Sequence, residues 1–270
     1  MTMVAAFQTA DSDSGTSRVA RVDILRSMAA AEPIWRGMEA AASLGTPYQT
    51  FEFLNAWQAT VGDREGAAPY IVVAYDIHSR PVSLLPLSVA RENGTQVARF
   101  MGGKHPTFNM PVWLSAFAAS ATASDVDAII DAIKDDSDGV DVLVLTQQPK
   151  RWRGILNPFA RLAGQPSINP VPSMSMTPNA KPEERIGSST RRRLRNKERK
   201  LQVLPGYRYT VAETDADINR LLDAFFIVKP KRMALSKLPN VFSDVATKKF
   251  IRDICIARHL PDRRPSPARR

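Results

Sequence analysis

Seven prolines lie between residues 149 and 182, and they divide the chain of 270 residues into two halves. Proline fixes φ and lacks a backbone N–H, so a stretch this rich in proline is excluded from helix interiors and central strands. We therefore predict a connector over 149–182, between a first domain at 19–148 and a second domain at 183–256. Residues 1–18 are predicted to be a disordered N-terminus, and residues 257–270 a disordered basic tail.

The two halves differ in charge. Residues 1–150 carry 11 Lys/Arg and 17 Asp/Glu, a net −6, whereas residues 151–270 carry 26 and 10, a net +16. This asymmetry indicates two different surfaces and an anionic partner for the second half. A solvated basic face without a specific ligand explains the same composition.

No segment has the pattern of a membrane span or a secretory signal. The apolar runs are shorter than the roughly 18 residues that a membrane helix needs, and Met1–Ser17 has neither a basic start nor an apolar centre. The single cysteine, Cys255, cannot form an internal disulfide. We therefore expect a cytoplasmic protein, and no metal site, because no Cys/His cluster has ligand spacing.

The first half has the mixed elements of an α/β, or α+β, fold. Periodicity predicts a strand, two helices, three strands, a helix and a short buried strand. In this order they lie at Val19–Leu25, around Trp35, and at Thr50–Trp57, Tyr70–Ile77, Val82–Ala90, Gln96–Met101, Ala123–Ile133 and Val140–Leu145.

The three consecutive strands are joined by short turns. Asn93-Gly94 is a strong hairpin signal, so these strands are predicted to form an antiparallel meander. Pro86 lies inside the second of them. It predicts an edge strand or a bulge at that point, because proline cannot donate to a sheet.

The second half opens with a very basic helix. Arg191–Leu201 contains seven Arg/Lys residues, and Leu194 and Leu201 form its only apolar line. Tyr207–Ala212 is predicted to be a strand, and the pair Thr214 and Asp217 to cap a second helix. A last helix, capped by Ser243, is predicted to bury one face, consisting of Phe250, Ile251, Ile254 and Cys255.

Four segments, taken in order, resemble tandem GNAT-like acyltransferases of the CelD (cellulose biosynthesis protein) and BioF-like acetyltransferase group. They are Pro47-Tyr48-Gln49-Thr50 leading to Trp57, Phe100-Met101-Gly102-Gly103 at the end of the meander, the basic helix Arg191–Leu201, and Phe225-Phe226 followed by Lys229, Lys231-Arg232 and Pro239-Asn240-Val241-Phe242. The resemblance spans residues 20–256 and rests on the order and character of the segments.

The resemblance implies two GNAT-like α/β halves, the second of them incomplete. It implies an N-acyltransferase that moves an acyl group from acetyl-CoA or another acyl-CoA to a small-molecule amine, in polysaccharide or cell-envelope metabolism. Distant relatives that add amino acids to peptidoglycan precursors use aminoacyl-tRNA instead, so the layout alone leaves the donor open. It assigns no catalytic or cofactor-binding residue in this chain.

The donor loop of GNAT enzymes reads Gln/Arg-x-x-Gly-x-Gly/Ala between a strand and a helix, where backbone N–H groups bind the CoA pyrophosphate. Only Gly66-Ala67-Ala68 approaches this pattern, and Asp63 stands where Gln or Arg is expected.

From residue 257 the chain turns rich in Arg and Pro. We therefore expect a second half truncated near this point and weak or absent activity, with a genuine basic tail as the alternative.

Six residues are candidates for substrate binding. His105 and Asn109 lie in a polar loop, Arg192 and Arg195 on the basic helix, and Lys229 and Arg232 near the end of the next helix. Arginine side chains can hold phosphate through paired hydrogen bonds. Each pair also has a non-functional interpretation. The first pair is then a solvated part of a loop, the second is a solvated face of a helix, and the third only complements the negative end of the helix dipole.

Two other functions stay open. One is a non-catalytic binding module whose basic helix holds an anionic polymer or nucleic acid. Nucleic acid is not the expected partner, because the sequence has no helix-turn-helix, basic zipper or RNA-stacking pattern. The other is a truncated product without function, whose uncovered apolar faces favour aggregation.

Overall fold

A computed structural model describes residues 16–137, 139–167, 171, 179, 181 and 185–256. The chain divides into two compact units. One unit consists of the residues up to Gln165 together with those from Leu222 onward, and the other runs from Pro166 to Leu221. The predicted basic tail at 257–270, and all but the last three residues of the predicted disordered N-terminus, lie outside the described residues.

The first half forms the predicted helices and strands within a few residues of the expected bounds. The strands are β1 (Arg21–Leu25), β2 (Ser43–Leu44), β3 (Ala68–Tyr75), β4 (Pro81–Glu92), β5 (Thr95–Phe100), β6 (Val112–Leu114), β7 (Val142–Val144), β8 (Arg151–Trp152) and β9 (Ile155–Leu156). The helices are α1 (Met28–Ala40), α2 (Phe51–Trp57), α3 (Ser115–Ala119) and α4 (Ala123–Lys134). The predicted α/β class is confirmed.

The main sheet follows the order β1-β3-β4-β5-β7. β3, β4 and β5 form the predicted antiparallel meander, with Asn93 and Gly94 at positive φ in its second turn. β5 and β7 are parallel, with Val97 opposite Val142, and α4 lies in the connection between them. Parallel neighbours need such a crossover, because a tight turn would bring the chain back in the antiparallel direction.

Pro86 lies in the middle of β4, opposite Ile71 of β3, so the predicted edge position is wrong. On its other side β4 pairs with β6 at Ser83 and with β5 from Leu87 onward, and Pro86 falls in the gap between them. The missing N–H of proline therefore leaves no ladder bond unmade. Its carbonyl still accepts a hydrogen bond from the Met101 N–H at 2.9 Å.

The sheet separates two hydrophobic cores, because successive side chains of a strand point to opposite faces. Tyr70 and Val72 belong to the core on the α4 side, and Ile71 and Val73 to the core on the other side. Helices supply most of the large side chains of this second core, namely Trp35, Phe51, Leu54, Trp57 and Phe250.

The proline-rich stretch begins inside the first unit. It forms the hairpin of β8 and β9 and a 3-10 turn at Pro158–Arg161. Phe159 is 2% exposed, and its ring centroid lies 5.8 Å from that of Trp113. The core of the first half therefore extends beyond the predicted boundary at residue 148. Most of the predicted connector after residue 167 lies outside the described residues.

The second half contributes α5 (Ser188–Gln202), α6 (Asp215–Leu235) and α7 (Val245–Ile256). The predicted strand Tyr207–Ala212 does not form, and Tyr209 and Val211 are exposed there. Residues 185–256 hold no other strand that could pair with it, and a lone strand leaves its backbone groups without partners. Within the described residues, no helix combines the length and apolar character needed to cross a lipid bilayer.

Two expectations for α7 are corrected. Its cap is Asp244, since the Thr247 N–H donates to Asp244 Oδ2 at 2.8 Å, and not the predicted Ser243. Aspartate accepts such a bond more strongly than serine because it is charged. Cys255, predicted to be buried, is exposed, because it lies about 100° around the helix from Ile254.

Candidate functional site

The loop between β5 and β6 carries two of the predicted substrate-binding residues, His105 and Asn109. Gly102 and Gly103 open this loop at positive φ. A Cβ atom on Gly102 would lie 2.5 Å from the ring of Pro106, closer than any real contact. Glycine is therefore required at position 102 for the chain to turn toward Pro106.

His105 packs half-buried against α7. The centroid of its ring lies 5.1 Å from that of Phe250. Its Nε2 is buried and has no hydrogen-bond partner among the described residues. Burial, followed by the charge of Lys104, lowers the pKa of His105 against the weaker opposing effect of Glu65 and Asp244. The imidazole is therefore neutral near pH 7.

The lowered pKa of His105 makes stability depend on pH. An unfolded histidine titrates near about pH 6.5, and the folded ring resists protonation. The contribution of the neutral ring to the free energy of unfolding is fully present above that pH, and it is lost as the pH falls toward the pKa of the folded state. From pH 7 to pH 5, we expect the free energy of unfolding to fall further in wild type than in His105→Gln.

Denaturant unfolding across this pH range measures the effect. His78→Gln is the matched control, because His78 is exposed in a hairpin turn, and this variant should follow wild type. A His105 ring that titrates above its ordinary pKa by NMR would contradict the prediction.

Asn109 is buried, with 3% of its surface exposed, and it anchors the end of the loop. Its backbone N–H donates to the Gln147 carbonyl at 3.0 Å, and its side-chain amide donates to Gln147 Oε1 at 3.1 Å. Its own Oδ1 is buried without a partner among the described residues. These bonds tie the loop to the segment after β7, so a substrate reaches the Asn109 amide only by displacing them.

The docking of α7 is a feature that sequence reasoning missed. α7 packs against α2 and the π-helix that follows it, Gln58–Gly62. Phe250 is 2% exposed, and its ring meets Phe53 edge to face at 5.2 Å. Arg64 donates to Asp244 at the start of α7. The apolar face of α7 was predicted, but nothing in its residue pattern specifies the surface that it covers.

α5 carries Arg192 and Arg195, both exposed, on a helix with no buried residue. A shallow open depression of about 450 Å³ runs along it, lined by Ser189, Arg192, Arg193, Asn196, Lys197 and Lys200. Gly187 precedes the helix, no side chain caps its first N–H groups, and its first turn contains no acid. Free N–H groups and the helix dipole favour an anion at such an end.

α6 carries Lys229 and Arg232, both exposed. The predicted cap of this helix is confirmed, since the Asp217 N–H donates to Thr214 Oγ1 at 3.1 Å. No described side chain forms an ion pair with Lys229 or Arg232. The structure thus distributes the six predicted residues over the β5–β6 loop, α5 and α6.

The N-terminus of α4 is closed by the protein's own side chains. The Thr122 N–H donates to Asp125 Oδ2 at 3.0 Å, and the Asp125 N–H donates to Thr122 Oγ1 at 3.3 Å. Arg18, predicted to be disordered, donates to the Asp125 carboxylate from its backbone N–H at 2.7 Å and its guanidinium at 2.8 Å.

These bonds keep Asp125 charged. Burial alone raises the pKa of Asp125, but the hydrogen bonds from Thr122 and Arg18 together lower it below the ordinary value. α4 begins after α3 and not directly after a strand, so its N-terminus does not have the strand-to-helix position of a donor loop. The charged carboxylate already occupies that end, so it repels a phosphate there.

Gly66-Ala67-Ala68, the closest sequence match to a donor loop, leads into β3 and not into a helix. Gly66 has φ +69°. The Asp63 carboxylate accepts a hydrogen bond from the Gln58 amide at 2.7 Å. This turn therefore lacks the helix N-terminus that follows the donor loop of GNAT enzymes.

A family model matches part of the second half. Residues 188–263 match the family described as an acetyltransferase (GNAT) domain. No curated protein and no solved structure matches the chain. The matched segment starts at the first residue of α5 and includes α6 and α7. This segment is similar to a GNAT acetyltransferase domain, which is consistent with the α/β fold and supports a GNAT-like acyltransferase.

Proposed function

We propose that this protein is an acyl-CoA-dependent N-acyltransferase that acts on a small-molecule amine. The observation that carries the proposal is the similarity of residues 188–263 to a GNAT acetyltransferase domain. The resemblance of residues 20–256 to the CelD and BioF-like group supports a finer assignment, to polysaccharide or cell-envelope metabolism.

We propose α5 as the element that holds the phosphates of the acyl-CoA. Its first turn presents N–H groups without a cap or an acid, and Arg192 and Arg193 lie beside Ser189 along the depression. Guanidinium groups donate paired hydrogen bonds to phosphate. The thioester of the donor supplies the acyl group, and the part of these residues is to bind and orient it.

Calorimetry with acetyl-CoA tests this proposal. We expect the 270-residue chain to bind, and Arg192→Glu/Arg193→Glu to bind on the order of 100-fold more weakly, since each contact to a charged group contributes about 1.5–3 kcal/mol. Arg91→Glu/Lys150→Glu is the matched control, because both residues are exposed cations of the first half and the net charge changes equally. Absence of binding by wild type, or an equal loss in the control, would refute the proposal.

A second candidate is a non-catalytic module in which α5 binds an anionic polymer. The observation that favours it is the charge of α5, which has seven Arg/Lys residues and a single acid, Glu198. Among the described residues, none of these seven cations takes part in an ion pair. A helix with this much unpaired charge attracts a polyanion irrespective of its sequence.

Salt dependence separates the two candidates. Binding of a single-stranded oligonucleotide or an anionic polysaccharide should weaken steeply with salt, with a log–log slope of about −0.7 per phosphate for single strands. Acetyl-CoA engages few phosphates, so its slope should be shallow. A chain that binds the polymers steeply and acetyl-CoA not at all would replace the acyltransferase proposal with the binding module.

A further inference from the structure

A depression of about 310 Å³ lies in the first unit, where β9 packs against α3. Its lining includes Ala118 and Ala119 of α3, Ile155 and Leu156 of β9, and two arginines, Arg151 and Arg161. This feature, the α3–β9 depression, therefore combines apolar side chains with two cations. Small-molecule sites occupy about 300–1,000 Å³, so its size suits a ligand at the small end of that range.

The hairpin of β8 and β9 fixes the position of Arg151. The neighbouring Trp152 donates from Nε1 to the Gly45 carbonyl at 3.1 Å, and its ring centroid lies 5.6 Å from that of Phe108. Successive side chains of a strand point to opposite faces, so Arg151 lies on the face away from these contacts. Its guanidinium donates one hydrogen bond to the Gly154 carbonyl at 3.1 Å, and its other N–H groups have no partner among the described residues.

A 3-10 turn with buried anchors fixes the position of Arg161. Asn157 is fully buried before this turn, where its Oδ1 accepts from the Phe159 N–H at 3.3 Å and its Nδ2 donates to Gln148 Oε1 at 3.1 Å. Phe159 is buried as well, and Arg161 ends the turn with its side chain exposed. The backbone that carries each arginine is therefore ordered before a ligand arrives, which lowers the entropic cost of binding.

The charge of the two arginines has no counterion nearby in the sequence. Residues 142–182 contain no Asp or Glu, whereas Lys150 and Arg153 add two more bases. In the described part of the chain, neither Arg151 nor Arg161 forms an ion pair. Two guanidinium groups without a carboxylate partner favour an anion as the ligand of the depression that they line.

We propose that the α3–β9 depression binds a small organic phosphate monoester through Arg151 and Arg161. The dianion of such a phosphate matches the charge of two guanidinium groups, and its three free oxygens accept paired hydrogen bonds from both. A carboxylate carries one charge and two oxygens, so it is the poorer match. The depression also exceeds the size of a phosphate group, and its apolar side chains suit the organic part of the ligand.

This site is independent of the acyltransferase proposal, because it rests on the first unit and not on α5. CoA itself carries a phosphate monoester, so the two sites are distinguished by their variants. Binding of acetyl-CoA should depend on Arg192 and Arg193, and binding of a simple phosphate monoester on Arg151 and Arg161. Each proposal can therefore fail while the other holds.

An NMR titration with phenyl phosphate tests the proposal, at about pH 8, where a phosphate monoester with a second pKa near about 6 is a dianion. The amide signals of Gly154, Ile155 and Arg161 should shift saturably, with a Kd of about 1 mM for two charged contacts. Arg151→Gln/Arg161→Gln should lose the saturable shift. Arg151→Lys/Arg161→Lys keeps the charge but not the paired hydrogen bonds, and should bind about tenfold more weakly.

Arg91→Gln/Arg153→Gln is the matched control, and it should bind phenyl phosphate as wild type does. Both residues are exposed, the same charge is lost, and Arg153 lies in the turn of the same hairpin without lining the depression. Thermal unfolding of both glutamine variants should match that of wild type. No saturable shift in wild type, or an equal loss in the control, would refute the proposal.

Two further ligands test the chemical class. Inorganic phosphate lacks the apolar part and should bind about tenfold more weakly than phenyl phosphate. Benzoate has the ring but a single charge, and it should also bind more weakly. Equal affinity for inorganic phosphate would overturn the assignment to an organic phosphate, and tighter binding of benzoate would overturn the assignment to a phosphate.

Discussion

Replacement of Phe250 by alanine is expected to lower the free energy of unfolding by about 3 kcal/mol and to loosen α7. Phe250 is 2% exposed and contacts the rings of Phe53 and His105 at 5.2 Å and 5.1 Å. Truncation removes both contacts and leaves a cavity between α2 and α7. It also uncovers the imidazole, so the pKa of His105 should rise toward its ordinary value.

Denaturant unfolding, hydrogen exchange and an NMR titration of His105 measure the three effects together. Phe242→Ala is the control, because its half-buried ring packs against the rings of Phe225 and Phe226 in the middle of α6, and the replacement should cost about 1 kcal/mol. Exchange should accelerate in α7 and stay slow in β3 and β4. An undisturbed His105 pKa together with a protected α7 would show that Phe250 does not hold the helix.

Replacement of Asp125 by alanine is expected to cost about 2–3 kcal/mol, through loss of a helix cap and of the partner of Arg18. The carboxylate is fully buried, whereas the Arg18 side chain is 43% exposed. Water reaches the orphaned guanidinium, so the cost lies below that of a fully buried pair. The variant should also lose the ordered contact of residues 17 and 18 with α4.

Thermal and denaturant unfolding measure the cost. Asp127→Ala on the same helix is the matched control and should change stability by less than about 0.5 kcal/mol, because Asp127 takes no part in the cap. Because the folded pKa of Asp125 is depressed, its contribution is present above the unfolded pKa of about 3.9 and is lost as the pH falls through the folded pKa. Asp125→Ala should therefore lose less stability on acidification, and an identical acid profile would contradict the assignment.

Most of the first half could be predicted because local signals and tertiary packing agree there. The Val- and Ile-rich runs and Asn93-Gly94 specify the meander, and the spacing of Val126, Ile129 and Ile133 specifies α4. Pro86 was misplaced because a sequence shows that proline lacks a donor but not that the sheet leaves a gap beside it. The predicted strand at Tyr207–Ala212 failed because a strand depends on a partner elsewhere in the chain.

Less of the candidate site could be predicted. Sequence reasoning found the loop of His105 and the basic surface of α5, because polar loops and charge runs are local features. It did not find Phe250 beside His105, or Arg18 on Asp125, because each contact joins residues more than 100 positions apart. Such pairs are specified by three-dimensional packing, and no spacing rule relates their positions in a single sequence.

The docking of α7 on α2 has a consequence for synthesis of the chain. A ribosome that adds about 5–20 residues per second needs roughly 10–40 s to proceed from Phe53 to Phe250. During this interval the strands of the meander can already pair, but the aromatic side of α2 has no cover. The nascent protein therefore exposes this apolar surface of α2 for many seconds. A chaperone that binds apolar segments would act on it at that stage.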